Sequence, residues 1–475
     1  MLPHLEHQPP RIAVLGTHLA LYAEAYTGYG ETMTAFMTAE MANLGDSVEI
    51  IGMRVSASVD DAAAFLAEME AAGVEALVLL SLGYTNSLSV TPALCDSRLP
   101  LVILNTQEAR AVTESFRFDD LMYNHGMQGV QDITAVLVRE RRPFFIVTGK
   151  LSHDDTRARL TDYLAACRAH ARIRGRRIAR LTLPQRGMGD GLVEPERLGS
   201  CFGLETLDIP CSELADHASE VTADEIDAAR RLDEVNFDIA ESVTREDHDR
   251  SLRLEIALRR MVDRYQLAGL TFSFDHIARA PGIDTIPFLG ITKLMAEGLA
   301  YGGEGDLLVT AWTAIAHGLG APVSFTELYT MDFSDNTALC THMAELNPRM
   351  ARRDARPELL ARTFTLASCK PFCSLRFTLA PGPALLSALT LDGAGDFRVI
   401  AMNTEIADFP LLTETWERPN YKVRFGRDIR EVMDDYARLG GPHHLDIATG
   451  ASVRAYQAFA ELAGLQWRRV PTGLE

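Results

Sequence analysis

Lysine and cysteine are scarce in this chain of 475 residues, and each scarcity narrows the possible functions. The only lysines are Lys150, Lys293, Lys370 and Lys422, and none stands in a context typical of Schiff-base chemistry. The seven cysteines are scattered, odd in number and free of any Cys-x-x-Cys pair. The sequence therefore indicates neither a zinc knuckle nor a disulfide framework, and the cytoplasm is the expected compartment.

Positive charge and long apolar runs are also in short supply. The formal net charge is −19, which makes the chain a poor candidate for binding nucleic acid or an anionic membrane. No apolar run reaches the ~18 residues of a membrane span. The first residues, "MLPHLEHQPPRIAVLG", lack the charged and apolar regions of a signal peptide. We therefore expect neither nucleic acid nor a membrane as a partner.

The composition and pattern are those of a globular α/β protein. Hydrophobic residues make up 47% of the chain and charged residues 23%, and the length favours two or three domains. Continuous apolar runs with helical segments between them predict strands buried on both faces, hence a doubly wound parallel sheet. These runs are "RIAVLG" (11–16), "SVEIIG" (47–52), "ALVLLS" (76–81), "LVILNT" (101–106) and "FFIVTG" (144–149).

The pattern predicts three domains. Residues 1–155 form the first α/β domain, and residues 156–322 form a second α/β unit with strands at 177–183 and 267–274. From residue 323 to 475 the chain is rich in threonine, valine and phenylalanine with turns between, which predicts a mainly antiparallel, barrel-like β domain. The fold class is therefore two doubly wound parallel-sheet α/β domains followed by a β domain.

The stretch "YGGEGD" (301–306) has the composition of a loop that binds a ligand. Phosphate loops present backbone N–H groups and usually a lysine, whereas Glu304 and Asp306 would repel a phosphate. Carboxylates in a glycine loop suit a cation or a proton transfer. A solvated surface turn is the plainer alternative, because glycine and acidic residues favour turns.

Further along the chain lie more candidate ligands. Glu327 falls in "SFTELYTMDF", His342 in "LCTHMAELNP", and the pair His443 and His444 in "GGPHH". Together with Glu304, two carboxylates and two imidazoles would suit a borderline divalent ion such as Mn²⁺, Co²⁺ or Zn²⁺. Glutamate and histidine are common, so spacing alone leaves open that each has only a structural role.

The residues around these candidates resemble the L-arabinose isomerases. That family has a "GxGxEGDWKTAA" loop, an "SFMEDYTYHF" strand, a "GAHMLEVCP" segment and a late "GGAHHT", and this chain has similar motifs in the same order. In the N-terminal half, "LNTQ" (104–107) and "DDLMYNHGMQGVQD" (119–132) resemble the family's "HTQFN" and the region after it. "RGMGDGLVEP" is similar to its "NMREVAVTEGDK" stretch. The resemblance spans roughly residues 10–465.

The resemblance implies both a reaction and a site. Glu304 and Glu327 match the family's acid/base pair in an aldose–ketose isomerisation through an enediolate. The implied partners are a small sugar and further copies of the chain, as a homo-oligomer, with trimers or hexamers usual. The implied metal is Mn²⁺, with Co²⁺ or Zn²⁺ possible. The implied metal ligands are Glu304, Glu327, His342 and His444, and the implied substrate contacts are His18, Leu19, Gln107, His125, Met188 and His443.

Several positions depart from the family pattern. Thr17, Ala20, Leu307 and Leu328 replace the family's glutamine, tyrosine, tryptophan and aspartate. The metal set is kept while sugar-facing positions differ, so isomerase chemistry is better supported than L-arabinose as the substrate. A pentose or a deoxyhexose is expected. Alternatives are a metal-dependent epimerase, an isomerase of a sugar acid or branched sugar, and a sugar-binding protein without catalysis.

Overall fold

The computed structural model describes residues 2–364 and 366–474, and the chain divides into two compact units. The smaller unit is Gln8–Ala171, and the larger unit is Met1–His7 with Arg172–Glu475. The domain boundaries expected after residues 155 and 322 stay predictions.

The strands and helices alternate through the first two thirds of the chain, and strands dominate the last third. The strands are β1 (Arg11–Thr17), β2 (Glu49–Ser56), β3 (Ala76–Ser81), β4 (Leu101–Asn105), β5 (Phe145–Thr148), β6 (Arg177–Arg180), β7 (Glu205–Asp208), β8 (Asp238–Ile239), β9 (Leu267–Phe272), β10 (Ala300–Gly303), β11 (Val323–Asp332), β12 (Thr337–Thr341), β13 (Glu358–Arg362), β14 (Phe372–Arg376), β15 (Gly382–Leu391), β16 (Phe397–Ile406), β17 (Asn420–Arg424), β18 (His444–Thr449) and β19 (Gln466–Arg469). The α-helices are α1 (Ala20–Ala25), α2 (Tyr29–Met41), α3 (Val59–Ala71), α4 (Thr91–Asp96), α5 (Phe118–Met122), α6 (Gly126–Arg139), α7 (Asp154–Arg172), α8 (Pro195–Phe202), α9 (Cys211–Ser219), α10 (Ala223–Asn236), α11 (Arg245–Tyr265), α12 (Phe274–Ile277), α13 (Phe288–Ala296), α14 (Leu307–Gly318), α15 (Ile429–Arg438) and α16 (Val453–Leu462).

The smaller unit is built on a five-stranded parallel sheet in the order β2-β1-β3-β4-β5. Every residue of β3 is buried, as the continuous apolar run predicted. The strand order reverses beside β1, which is where ligands bind in doubly wound sheets. Thr17 ends β1, and His18 and Leu19 follow it at this edge.

The larger unit begins with a four-stranded parallel sheet in the order β10-β9-β6-β7. Its edge strand β10 contains both glycines of "YGG", so this part of the predicted loop is a strand, and the turn is confined to Glu304 and Gly305. Gly302 allows close packing, because a Cβ there would lie 2.4 Å from Oγ1 of Thr310 on α14. The apolar pattern missed β10 because glycine carries no β-strand signal.

The last third of the chain forms a closed antiparallel barrel of six strands, in the order β15-β18-β11-β12-β17-β16 and back to β15. The final strand, β19, adds in parallel to β16 on the outside of this ring. A separate three-stranded sheet has the order β14-β13-β8. The predicted fold class is confirmed. Among the described helices, none has the length and apolar character needed to cross a membrane.

Candidate metal centre

The register of three barrel strands brings together Glu327, His342 and His444. Glu327 on β11 pairs directly with His444 on β18 and, on its other side, with Thr341 on β12. His342 is the residue after Thr341. Directly opposed residues in antiparallel strands have neighbouring side chains, so register places Glu327 beside His444, and His342 joins them because it directly follows the end of β12.

Glu304 reaches the same region from the parallel sheet. It follows β10 in the left-handed region, with φ of 60°, a conformation that a residue with a side chain adopts only where the surroundings hold it. Its backbone carbonyl accepts a hydrogen bond from the N–H of Gln185, at 2.8 Å. The neighbouring Gly303 lets the turn approach the barrel, because a Cβ there would lie 2.9 Å from Cε1 of His342.

Two overlapping triads of potential ligand atoms result. One is Glu304, His443 and His444; the other is Glu327, His342 and His444, and within each triad the ligand atoms lie within 4.8 Å of one another. In the second triad, Oε1 of Glu327 is 3.1 Å from Nε2 of His444 and 3.5 Å from Nε2 of His342. His444 belongs to both triads and therefore lies at the middle of the centre.

Asp306 orients His444. One of its carboxylate oxygens, Oδ2, accepts a hydrogen bond from Nδ1 of His444 at 2.8 Å. The other, Oδ1, caps α14 by accepting from the N–H groups of Leu308 and Val309, at 2.7 and 3.1 Å. Asp306 is thus held by the helix start while it holds the imidazole.

Glu345 does the same for His342. Its Oε2 accepts from Nδ1 of His342 at 2.8 Å and from the N–H of Ala344 at 2.8 Å. Its Oε1 accepts from the hydroxyl of Tyr301 on β10, at 3.0 Å. A carboxylate on Nδ1 fixes the ring tautomer and leaves the Nε2 lone pair free, which is the usual arrangement of a metal-ligating histidine.

The Nε2 atoms of both histidines are buried and without a hydrogen-bond partner. Although His444 Nε2 is 3.1 Å from Glu327, the pair lacks hydrogen-bonding geometry. Buried imidazole nitrogens normally have a hydrogen-bond partner. Two buried Nε2 atoms without one, both near the carboxylate of Glu327, therefore indicate that these nitrogens are ligand atoms. These residues fit a divalent metal ion with nitrogen and oxygen ligands.

Electrostatics at the centre follow from burial opposed by close opposite charges. Burial lowers the pKa of His444, but the carboxylates of Asp306 and Glu327 outweigh it and raise that pKa to about 10. Burial raises the pKa of the Glu327 carboxyl, but His444, His342 and His443 bring it below its usual value. Without a metal ion the centre therefore holds protons that an ion would displace.

His443 lies at the exposed side of the centre. Its Nδ1 and its backbone N–H both donate to Oδ2 of Asp190, at 2.6 and 3.0 Å, and its Nε2 lies 3.9 Å from Oε1 of Glu327. The hydrogen bonds from His443 hold the pKa of Asp190 below its usual range. Met188 is half-buried two residues before Asp190, and its N–H donates to the carbonyl of Gln185.

The other predicted substrate contacts lie in the smaller unit. His18 and His125 are both buried and share a tyrosine cluster: the ring of His18 is 5.4 Å from that of Tyr29, and Tyr22 shares a hydrogen bond of 2.9 Å with Nε2 of His125. Nδ1 of His125 has no hydrogen-bond partner, and burial lowers the pKa of the ring.

The two remaining contacts lie on neighbouring segments of this unit. Leu19 is half-buried at the start of α1, and Gln107 donates from Nε2 to the carbonyl of Ala109 at 3.1 Å. The structure thus brings His18 and His125 near one cluster and gives Gln107 a local backbone partner.

Reasoning from the sequence missed Glu345 and Asp190. Glu345 stands three residues after His342, and this spacing is a local signal, since a carboxylate near a ligating histidine is a common orienting partner. Asp190 is 253 residues from His443. No sequence pattern connects them, and only the folded chain makes the pair.

Models of protein families match most of the larger unit. The L-arabinose isomerase central domain matches residues 197–321, and the L-arabinose isomerase C-terminal domain matches residues 322–466. Together they span more than half of the chain and include Glu304, Glu327, His342, His443 and His444.

Individual relatives extend the similarity to most of the chain. The L-arabinose isomerase of Saccharophagus degradans is 25% identical over 77% of this chain and 74% of its own length. That of Nocardioides sp. is 26% identical over 78% of this chain and 75% of its own length. Among solved structures, a periplasmic solute binding protein from Actinobacillus succinogenes with bound D-allose covers 65% of this chain and 90% of its own, at 16% identity. Its TM-score of 0.17 is too low to show a shared fold.

Proposed function

Because this chain belongs to the L-arabinose isomerase family and is thereby a sugar aldose–ketose isomerase, we propose that it works with a divalent metal ion and moves protons with Glu304 and Glu327. The observation that carries this proposal is the pair of buried, unpartnered Nε2 atoms on His342 and His444, beside the carboxylate of Glu327. Each imidazole is fixed through Nδ1 by a carboxylate, as a ligand would be.

We propose Glu304, Glu327, His342 and His444 as the metal ligands. The mixed nitrogen and oxygen donors favour Mn²⁺, with Co²⁺ or Zn²⁺ as alternatives. When bound, the ion polarises the sugar carbonyl and stabilises negative charge on the neighbouring oxygen. His443 belongs to a triad with Glu304 and His444, and its proposed role is to contact the sugar.

The chain's own groups then have defined tasks. In the aldose-to-ketose direction C2 loses a proton, C1 gains one, and a hydroxyl proton passes from the oxygen on C2 to the oxygen on C1. One glutamate accepts the proton from C2 and the other exchanges the proton between the oxygens, through the enediolate of the open-chain sugar. Glu327 meets one requirement of the accepting role, an ionised carboxyl, because its histidine neighbours bring its pKa below the usual value despite burial.

The histidines and their carboxylates keep the centre in place while protons move. Asp306 and Glu345 hold Nδ1 of His444 and His342, so neither ring can rotate without breaking a buried hydrogen bond. Asp190 holds His443 so that Nε2 faces Glu327. Such preorganised groups avoid reorganisation during the reaction.

The proposed substrate, substrate contacts and oligomeric state rest on the similarity to the family. The substrate is a small sugar, and His18, Leu19, Gln107, His125 and Met188 are proposed to contact it. A homo-oligomer in the cytoplasm is the expected state, and light scattering on the purified protein would measure its mass.

A ketose assay after removal and return of metal tests the function. The protein is stripped with a chelator, Mn²⁺ is added back, and ketose formation is followed from a panel of aldopentoses, deoxyhexoses and hexoses. Ketose that appears only with metal supports the proposal. Tight Mn²⁺ binding without ketose or keto acid from any aldose would refute the reaction while keeping the metal centre.

Two variants and one control test the residue roles. Glu304→Gln and Glu327→Gln remove one carboxylate each and should abolish turnover, while the fold, followed by circular dichroism, survives. Glu405→Gln makes the same change at an exposed position of β16 and should leave turnover unchanged. Activity like that of the unmodified protein in Glu304→Gln would contradict its assignment.

A further inference from the structure

Two arginines lie beside Met343, the residue that follows His342. Nη2 of Arg362, at the end of β13, donates to the carbonyl oxygen of Met343. Nη1 of Arg418 lies 3.5 Å from the sulfur of Met343. Successive Cα atoms are about 3.8 Å apart, so both guanidinium groups meet the chain one residue from a proposed metal ligand.

Strand register explains how Arg418 reaches this place. Thr341 pairs with Asn420 at the start of β17, and the hydroxyl of Thr341 donates to the carbonyl of Pro419 at 2.5 Å. Arg418 therefore stands beside the end of β12, from which His342 and Met343 continue. The barrel that gathers the metal ligands also places this cation at their side.

Neither arginine forms an ion pair with any residue that the structure describes. Arg362 exposes only 4% of its surface, and its Nε is buried without a hydrogen-bond partner. Burial and the charge of Arg418 lower the pKa of Arg362 to about 10, which still leaves it cationic at neutral pH. A buried cation without an acid is costly, and besides the carbonyl of Met343 its described neighbours include only the rings of Phe372 and Phe364, 4.9 and 5.9 Å from Cζ.

Tyr329 is close enough to both Glu327 and Arg418 for their charges to act on its hydroxyl. It is the extra residue of a bulge in β11, where the register shifts between Leu328 and Thr330. Burial and the charge of Glu327 raise the pKa of its hydroxyl, and the charge of Arg418 opposes them. The bulge turns Tyr329 out of the strand ladder, as bulges near functional sites often do.

We propose that the sugar substrate carries an anionic group at the end remote from its carbonyl, and that Arg418 and Arg362 bind this group. The inference rests on the proposed isomerase function and deepens it to a substrate class, an acidic aldose. A guanidinium matches both a carboxylate and a phosphate, so a hexuronate and a pentose 5-phosphate share this chemistry. Since the chain has a net charge of −19, an acidic substrate needs such a local cationic site.

Kinetics with paired substrates test the proposal. The protein reconstituted with Mn²⁺ is assayed with hexuronates, pentose 5-phosphates and the neutral aldoses of the same configurations. We expect kcat/KM for one acidic aldose to exceed that of its neutral counterpart by about tenfold or more, the usual effect of a charged hydrogen-bonded pair. The series that shows the preference identifies carboxylate or phosphate, and equal values throughout would overturn the proposal.

Arginine variants show whether these residues carry the preference. Arg418 is half-buried, so the variant Arg418→Gln should fold. Its kcat/KM should fall at least tenfold for the acidic aldose and change little for the neutral one. Arg362→Met should act in the same direction. Arg353→Gln, at an exposed position, removes the same charge and should change neither value. Equal losses for both substrates in Arg418→Gln would indicate a structural role and overturn the proposal.

Unreactive analogues separate this inference from the isomerase function. Reduction of each aldehyde gives an open-chain sugar acid, a pentitol phosphate or a neutral alditol, whose binding to the Mn²⁺-loaded protein is measured by calorimetry. One acidic analogue should bind at least tenfold more tightly than its neutral partner, and Arg418→Gln should remove the difference. That result without turnover of any aldose would support the anion site and count against the reaction. Equal binding of all analogues would overturn the anion site even if neutral aldoses react.

Discussion

Replacing Asp306 separates two tasks that its carboxylate performs. Oδ1 caps α14 through two backbone N–H groups, and Oδ2 holds Nδ1 of His444. Asp306→Ser keeps an oxygen at the cap position but is too short to reach the imidazole, whereas Asp306→Ala loses both interactions. Comparing the two variants therefore assigns one effect to the cap and the other to His444.

The expected magnitudes differ between the variants. Loss of an N-cap costs about 1 kcal/mol of unfolding free energy. A buried Nδ1–H left without an acceptor costs about 1–3 kcal/mol. Metal-free Asp306→Ala should therefore lose roughly 2–4 kcal/mol, and Asp306→Ser roughly 1–3 kcal/mol. Both should bind Mn²⁺ about 10- to 100-fold more weakly, the usual effect of removing the orienting partner of a ligating histidine.

Denaturation of the metal-free protein and calorimetric Mn²⁺ titration measure the two quantities. Asp428→Ala is the matched control: Asp428 caps α15 by accepting from the N–H of Arg430 at 2.9 Å, and among the described residues it forms no hydrogen bond or ion pair with a histidine. It should lose about 1 kcal/mol and keep its Mn²⁺ affinity. Mn²⁺ binding by Asp306→Ser as tight as in the unmodified protein would refute an orienting role for Asp306.

Three further predictions concern the same centre. Because the pKa of His444 is raised to about 10 in the metal-free protein, its proton must leave when Mn²⁺ binds. The affinity for Mn²⁺ should therefore rise with pH across the neutral range, and the heat of binding should depend on the ionisation heat of the buffer. A heat of binding that is the same in all buffers would contradict this. Gly303→Ala, whose Cβ would press on His342 at 2.9 Å, should cost about 1–3 kcal/mol and weaken Mn²⁺ binding, measured by the same titration, and an unchanged affinity would exclude this contact. Asp190→Asn should lower kcat/KM while Mn²⁺ affinity stays, with the pH profile of kcat/KM also shifted; a change in affinity alone would place His443 among the ligands.

The parallel sheet of the smaller unit was predictable because its strands lie in continuous apolar runs, whereas β7 and β10 of the second sheet carry no such run. "ALVLLS" was placed at 76–81 and is β3 at the same residues, and "LVILNT" overlaps β4 almost completely. A strand that is buried on both faces has apolar residues at successive positions, so it is visible in the sequence as a continuous hydrophobic run. The barrel was predictable as a class from its composition, whereas its ring closure depends on β15 pairing with β16 and β18 and has no local signal.

The candidate centre was predictable only in part. The motifs around Glu304, Glu327, His342 and His444 pointed to the residues that form the two overlapping triads. The carboxylates that fix the rings divide differently: Glu345 lies three residues from its histidine, whereas Asp306 and Asp190 meet theirs across 138 and 253 residues. The short spacing of Glu345 and His342 is a local signal that reasoning from the sequence overlooked, whereas the two distant pairs are formed only by the folded chain.

Closure of the barrel limits how the geometry of the candidate metal centre can change. In an open sheet one strand can slide past its neighbour, but in a ring a slip of one residue in β11 would have to be repeated around all six strands, and it would turn Glu327 away from His444. The segments that carry Asp190 and Arg418 lie outside the ring. Redesign of these segments should therefore alter substrate preference, while the geometry of the candidate metal centre stays fixed.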